Sequence, residues 1–238
     1  MKIWLKTTLT IAVLGLAACQ ITSSVGLNSG DLARNQRTVL AQIASQPQQA
    51  DIYFDADGQY RSTPTAGGYY RKVLGQTAKG GWVVQDFYQD SKTKQTDPAV
   101  IFHANGLRNF NNDVIDGPVI WYRPDGSLLQ STRFKLGKLD DWITYYDQQD
   151  RARLAVEFAD DAANGNQKAY DEQGRLVMQI SVDANRQAKQ EFWYGNGKLA
   201  GISTATSLQG WDEQGKPLTD VQAERLLNSL ESRLYQPE

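Results

Sequence analysis

Between about residues 117 and 215 the chain alternates apolar and polar positions with a period of two. Leu128, Gln130, Thr132 and Phe134 form one tract, and Ala152, Leu154, Val156 and Phe158 a second. Leu176, Met178, Ile180 and Val182 form a third, and Ala200, Ile202, Thr204 and Thr206 a fourth. The positions between them are mostly polar, as at Ser131, Arg133, Lys135, Arg153, Glu157, Gln179, Ser181 and Asp183. Such alternation sends successive side chains to opposite faces of a strand, so each tract predicts one buried face and one wet face. Before each tract stand an aromatic pair and a turn sequence. Trp121-Tyr122 precedes Arg-Pro-Asp-Gly126, and Tyr145-Tyr146 precedes Asp-Gln-Gln-Asp150. Ala169-Tyr170 precedes Asp-Glu-Gln-Gly174, and Trp193-Tyr194 precedes Gly-Asn-Gly197. Asp-Gly and Asn-Gly tolerate positive φ and close tight hairpins. The second members of the pairs recur every 24 residues, the signature of a structural repeat.

Diverged units extend the pattern upstream. Asp55-Ala-Asp57-Gly58 follows Tyr53-Phe54, and Phe87-Tyr88 follows Trp82-Val83-Val84, with Phe54, Tyr88 and Tyr122 spaced by 34. Trp211-Asp-Glu-Gln-Gly215 reads as a last partial unit. Helical periodicity brackets this region. Leu32, Gln36, Val39, Leu40 and Ile43 predict a helix over 31–46, ended by Pro47. Residues 219–235 predict a second helix. Thr219 with Gln222 makes a capping box, and Ala223, Leu227, Leu230 and Leu234 form an apolar stripe with Val221 and Leu226 at its margin. The fold expected is mainly β: an elongated antiparallel meander of stacked hairpins over 51–215, flanked by an N-terminal and a C-terminal helix. A closed β-barrel with a ligand cavity is the alternative, and the strand order decides between them.

The N-terminus predicts a different role for residues 1–18. Lys2 and Lys6 precede an uncharged, mostly apolar run from Thr7 to Ala18. Spanning a bilayer takes roughly 20 apolar residues, so the run reads as a secretory signal. Leu16-Ala17-Ala18-Cys19 resembles the bacterial lipobox at all four positions. That resemblance implies cleavage before Cys19 and lipid on its thiol, with 19–30 as lipidated cysteine and polar tether. Cys19 is the single cysteine, which excludes a disulfide within the chain. Gln20 in place of Asp implies the outer membrane, facing the periplasm, with the inner membrane and the cell surface left open.

The aromatic pair, short Asp/Asn-Gly turn and alternating strand resemble the variant MORN repeat of antitoxin-like bacterial proteins. The resemblance covers 117–215 well and 51–116 loosely. Two units depart from it: Asp150 replaces the turn glycine, and Ala169 replaces the first aromatic. It implies stacked hairpins in a twisted sheet and no catalytic residues. Members of the family bind proteins or lipids.

Removing residues 1–18 leaves 220 of 238, enough for one sizeable domain or a repeat array. A net charge of −2 gives no basic footprint for nucleic acid. Cys19 is assigned to lipid, so a catalytic triad would have to be built on His103, the single histidine, which reads as a strand residue. A zinc site would lack ligands, and neither a metal nor a cofactor is expected. Asp55-Ala-Asp57-Gly58 lacks the later ligands of a calcium loop and reads as a hairpin turn. Gly195-Asn-Gly197-Lys198 has no helix after it, as a phosphate loop requires. Asp140-Asp141 and Asp160-Asp161 read as solvated turn carboxylates. The remaining candidate surface is the row Trp121, Tyr122, Tyr145, Tyr146, Tyr170, Trp193 and Tyr194. It serves either as a cross-strand ladder or as a binding face, with one member of each pair free. The expected function is a membrane-anchored, non-enzymatic, protein-binding scaffold, with an immunity or antitoxin-like role as its sharpest form. A cell-wall glycan-binding protein and a carboxylate-dependent cell-wall hydrolase are the alternatives.

Overall fold

A computed structural model describes residue 27 and residues 29–235. The signal, Cys19 and most of the expected tether lie outside the described residues. After α1 (Ser29–Leu40) come β1 (Ile43–Ser45), β2 (Ile52–Phe54), β3 (Tyr60–Arg61), β4 (Tyr69–Thr77), β5 (Trp82–Tyr88) and β6 (Ala99–Ile101). Two short 3-10 turns, Ala104–Arg108 and Asn112–Val114, lead into β7 (Ile115–Tyr122), β8 (Leu128–Lys135), β9 (Lys138–Leu139) and β10 (Trp142–Tyr146). The chain continues through β11 (Ala152–Ala159), β12 (Ala162–Tyr170), β13 (Leu176–Val182), β14 (Ala188–Trp193), β15 (Leu199–Thr204) and β16 (Leu208–Gly210) to α2 (Asp220–Glu231).

Among the described residues the strands make one antiparallel sheet of sixteen, ordered almost entirely as they occur in the sequence. β16 and β3 stand at opposite ends and do not pair, so the sheet is an open meander and not a barrel. One turn geometry recurs along one edge. Asp171 Oδ1 accepts the amides of Gln173 and Arg175, both at 2.9 Å, and Gly174 takes a φ of +75°. Asp55, Asp147 and Asp212 build the same turn along this edge. Asp150, which replaces the turn glycine, adopts a φ of +61°. Its Oδ1 accepts the amide of Leu128 from the neighbouring hairpin at 2.5 Å.

The two helices lie on opposite faces. Val39 of α1 is buried with Val83 and Val100, while Leu32 packs with Leu27 on the cluster of Ile120, Tyr122 and Tyr146. Ala223 and Leu227 of α2 pack on the other face, over β15 and β16. Glycines make that approach possible: a Cβ on Gly201 would sit 2.6 Å from Leu227, and one on Gly210 2.6 Å from Ala223. The expected capping box is present, with Thr219 Oγ1 accepting the Gln222 amide and Gln222 Oε1 accepting the Thr219 amide. Val221, placed at the margin of the stripe, is exposed.

The first helix differs from the 31–46 expected. It stops at Leu40, and Ile43–Ser45 pairs with β4 through Ile43↔Thr77 and Ser45↔Gln76. Gly75 explains the change, because a Cβ there would stand 2.4 Å from Ile43 Cγ2. The missing side chain leaves a seat in which the β-branched Ile43 packs beside Val39 and Val83. Among the described residues the core clusters lie between Leu27 and Leu234, and a fragment of residues 20–238 retains them.

Candidate functional site

Register assigns every strand residue to a face. One row runs Trp121–Gln130–Tyr145–Leu154–Ala169–Met178–Phe192–Gly201–Gly210 across the α2 face. The adjacent row, Ile120–Ser131–Thr144–Ala155–Lys168–Gln179–Glu191–Ile202–Gln209, lies on the α1 face. The fourth unit is therefore one residue out of the expected phase. Gln130 to Tyr145 and Leu154 to Ala169 each span 15 residues, whereas Met178 to Phe192 spans 14. A register shift marks each repeat, between Trp121 and Tyr122, Tyr145 and Tyr146, Ala169 and Tyr170, and then Phe192 and Trp193. The structural counterpart of Tyr170 is thus Trp193. Tyr194 instead begins the turn, where Asp147 and Asp171 stand in earlier units, its amide bonding to Lys198 O. Ile202 and Thr204, expected inside with Ala200, accordingly lie on the α1 face.

The proposed aromatic row is not one surface. Tyr122, Tyr146 and Tyr170 are buried together on the α1 face. Trp121 is buried on the other face against Phe134, centroids 6.2 Å apart. These four rings are core, so both members of the first pair are buried and neither is free. Tyr145, Trp193 and Tyr194 are half-buried. Hydroxyl partners confirm how closely the rings are held. Tyr122 donates to Asp97 at 3.0 Å, Tyr146 shares a 3.0 Å bond with Ser131, and Tyr194 donates to Trp211 O at 2.7 Å. Burial pushes the Tyr170 phenol up to about 12, and burial with the Asp97 carboxylate raises that of Tyr122. A second aromatic set, Tyr53, Tyr70 and Phe87, lies half-exposed on the α1 face of β2, β4 and β5. Tyr53 and Phe87 fall in the diverged repeats legible in the sequence, whereas Tyr69-Tyr70, the pair that completes the set, is followed by no turn sequence.

α1 leaves the same face open on its other side. Lys168, Gln179, Glu191 and Ile202 are half-exposed there, and Trp142 carries Lys168 Nζ 4.9 Å from its ring centroid. Glu157 accepts from Asn166 at 2.7 Å and from Asn164. Those bonds, Asn166 first, hold its carboxyl below the usual range. A depressed carboxylate stabilises the fold above its unfolded value near 4.5 and loses that contribution as pH falls through its folded value. Solvent screening keeps the effect under about 1 kcal/mol. Glu157→Gln is expected to lower the urea midpoint slightly at neutral pH. The gap from the parent should close on acidification, and a gap that widens in acid would contradict the assignment.

A recess of about 420 Å³ lies between α2 and β14–β16. Phe192 and Leu227 line it together with Ser203, Ser207, Asn228 and Glu224.

The remaining sequence candidates have structural positions. His103 lies just past β6 and not within the strand. Its Nδ1 accepts the Gly106 amide at 3.0 Å, capping the first 3-10 turn. Asp55-Ala-Asp57-Gly58 is the β2–β3 turn, and Gly195–Lys198 is followed by β15. Asp160 pairs with Lys138 and Asp161 accepts the Leu139 amide, each at 2.7 Å. Asp141 accepts the Trp142 amide at 2.8 Å. Among the described residues, no helix is long and apolar enough to cross a membrane.

No protein-family model matches the sequence, and no curated protein matches it. Among solved structures, a crystal structure of a GtfA/B complex bound to UDP and GlcNAc is 13% identical, with a TM-score of 0.21. The match covers 70% of this chain but only 29% of that one, and the superposition is too loose to bear on fold or function.

Proposed function

We propose that the chain is a lipid-anchored, non-enzymatic lipoprotein whose repeat sheet holds a protein partner on the periplasmic side of the outer membrane. The observation that carries this reading is the uncovered α1 face over β12–β15, where Lys168, Gln179, Glu191 and Ile202 stand half-exposed in one row. A broad sheet surface with mixed polar and apolar side chains suits a protein partner. The Cys19 lipobox supports the anchor. The immunity or antitoxin-like form rests on the MORN resemblance, whereas an envelope-assembly scaffold draws on the anchor and the sheet alone.

The test is a pulldown from envelope extracts with the 20–238 fragment. The expected result is a retained protein that Gln179→Arg with Ile202→Arg releases while the fold persists. Retention of glycans or lipids without protein would sink the scaffold reading. The recess beneath α2, with hydroxyl, amide and carboxylate groups over an apolar floor, favours glycan binding as the second reading, and turnover of purified peptidoglycan would establish the hydrolase instead. For the anchor, Cys19→Ser is expected to leave an unprocessed precursor. Parent protein found free in the soluble fraction would refute lipidation, since several acyl chains hold a protein stably.

A further inference from the structure

We propose that the α1 face of β2–β5 is a docking surface for an acidic segment of the protein partner, an inference that rests on the scaffold reading above. Tyr53, Tyr70 and Phe87 are direct cross-strand neighbours, and the Tyr70 and Phe87 rings stack 5.1 Å apart at 15°. Two lysines lie over this ladder. Lys72 Nζ is 5.9 Å from the Tyr70 centroid and 5.6 Å from that of Phe87, and Lys92 Nζ is 5.3 Å from Tyr70. Lys94 and Arg61 nearby are paired with carboxylates, Lys94 with Asp97 and Arg61 with Asp55. Lys72 and Lys92 form no ion pair with a carboxylate among the described residues. Two exposed cations without ion-pair partners, in a chain of net charge −2, mark a local positive site.

The chemistry fits carboxylates presented by a chain. An exposed cation–π contact is worth only about 0.5–1 kcal/mol, so each ammonium is free to turn to an incoming carboxylate. Its alkyl stem stays on the ring meanwhile, and the rings offer apolar area beside the charge. The shape favours a peptide over a bilayer. α1 stands on the same face, seated through Val39 on Val83 and Val100, with Arg34 and Arg37 exposed. A helix is about 10–12 Å thick with its side chains. A flat membrane therefore meets α1 before it meets the ladder, whereas an extended segment can lie alongside the helix.

The experiment measures binding of a labelled oligoglutamate peptide to the 20–238 fragment at low salt, by fluorescence anisotropy. Lys72→Glu with Lys92→Glu is expected to weaken binding by about tenfold or more, because reversing charge places like charges together. Lys135→Glu with Lys216→Glu, two exposed lysines away from this ladder, should leave it unchanged. Circular dichroism and the thermal midpoint should match the parent in all variants, since these side chains are outside the core. Failure of oligoglutamate to bind, or equal loss in the two double variants, overturns the proposal. So does lysine-dependent binding to phosphatidylglycerol vesicles without peptide binding. If the pulldown retains a protein equally with and without Lys72 and Lys92, the scaffold stands and this docking site does not.

Discussion

Replacing Tyr146 by alanine is expected to lower the urea midpoint strongly. The ring is fully buried, at 0% exposure, among Ile120, Tyr122, Leu128, Ala152, Ala155 and Tyr170. These residues come from β7, β8, β11 and β12, the strands on either side of β10, and Leu27 and Leu32 pack over them. Truncating a buried aromatic costs about 3–5 kcal/mol in lost transfer energy and cavity formation. Tyr146→Phe separates the ring from its hydroxyl. It keeps the packing and loses the 3.0 Å bond with Ser131, so its cost should be about 1 kcal/mol. If the two variants lose equal stability, the hydroxyl and not the ring holds this part of the sheet.

The second large effect belongs to Arg71. Its guanidinium is 3% exposed and grips Asp86 through two bonds, Nε to Oδ1 at 2.7 Å and Nη2 to Oδ2 at 2.8 Å. Nη1 donates to the carbonyls of Leu107 at 3.1 Å and Asn109 at 2.9 Å, and the group lies 5.2 Å from the Phe54 centroid. One side chain thus ties β4, β5 and the segment after β6 together. Arg71→Met leaves Asp86 buried without its partner and is expected to cost about 3–5 kcal/mol. Asp86→Leu in that background removes the stranded charge and should recover part of the loss. Amide exchange at 104–109 should quicken in both. Equal stability of the single and double variants would show that Asp86 gains no support from Arg71.

Much of the fold is legible in the sequence because its determinants are local. Each Asp-x-x-Gly turn carries its own hydrogen-bond acceptor and its own positive-φ residue, and the capping box lies within four consecutive residues. Alternation reveals the strands. It does not reveal the faces, because a bulge in each repeat shifts the phase and one return hairpin is a residue shorter. A one-residue slip moves a whole side-chain set across the sheet, and the 24-residue spacing therefore sets Trp193 and Tyr194 one place off their structural counterparts. Ala155 shows a further limit. It falls between outward-reading positions yet is fully buried, because Leu27 and, from α1, Leu32 pack onto that face. The Arg71–Asp86 pair was also hidden. Its members are 15 residues apart and meet only once β4 and β5 are in register.

The open strand order has a kinetic consequence. From β4 to β16 nearly every strand finds its partner in the one just before it, apart from the small β9 flap on β8. Contacts are therefore near in sequence, and loop closure needs little entropy at each step. A barrel must wait for its last strand to meet its first. Here a chain delivered N-terminus first can zip one hairpin at a time as it emerges, each new strand templated by the exposed edge of the last. The same arrangement means that gain or loss of a whole 24-residue hairpin lengthens or shortens the sheet without disturbing the pairing on either side.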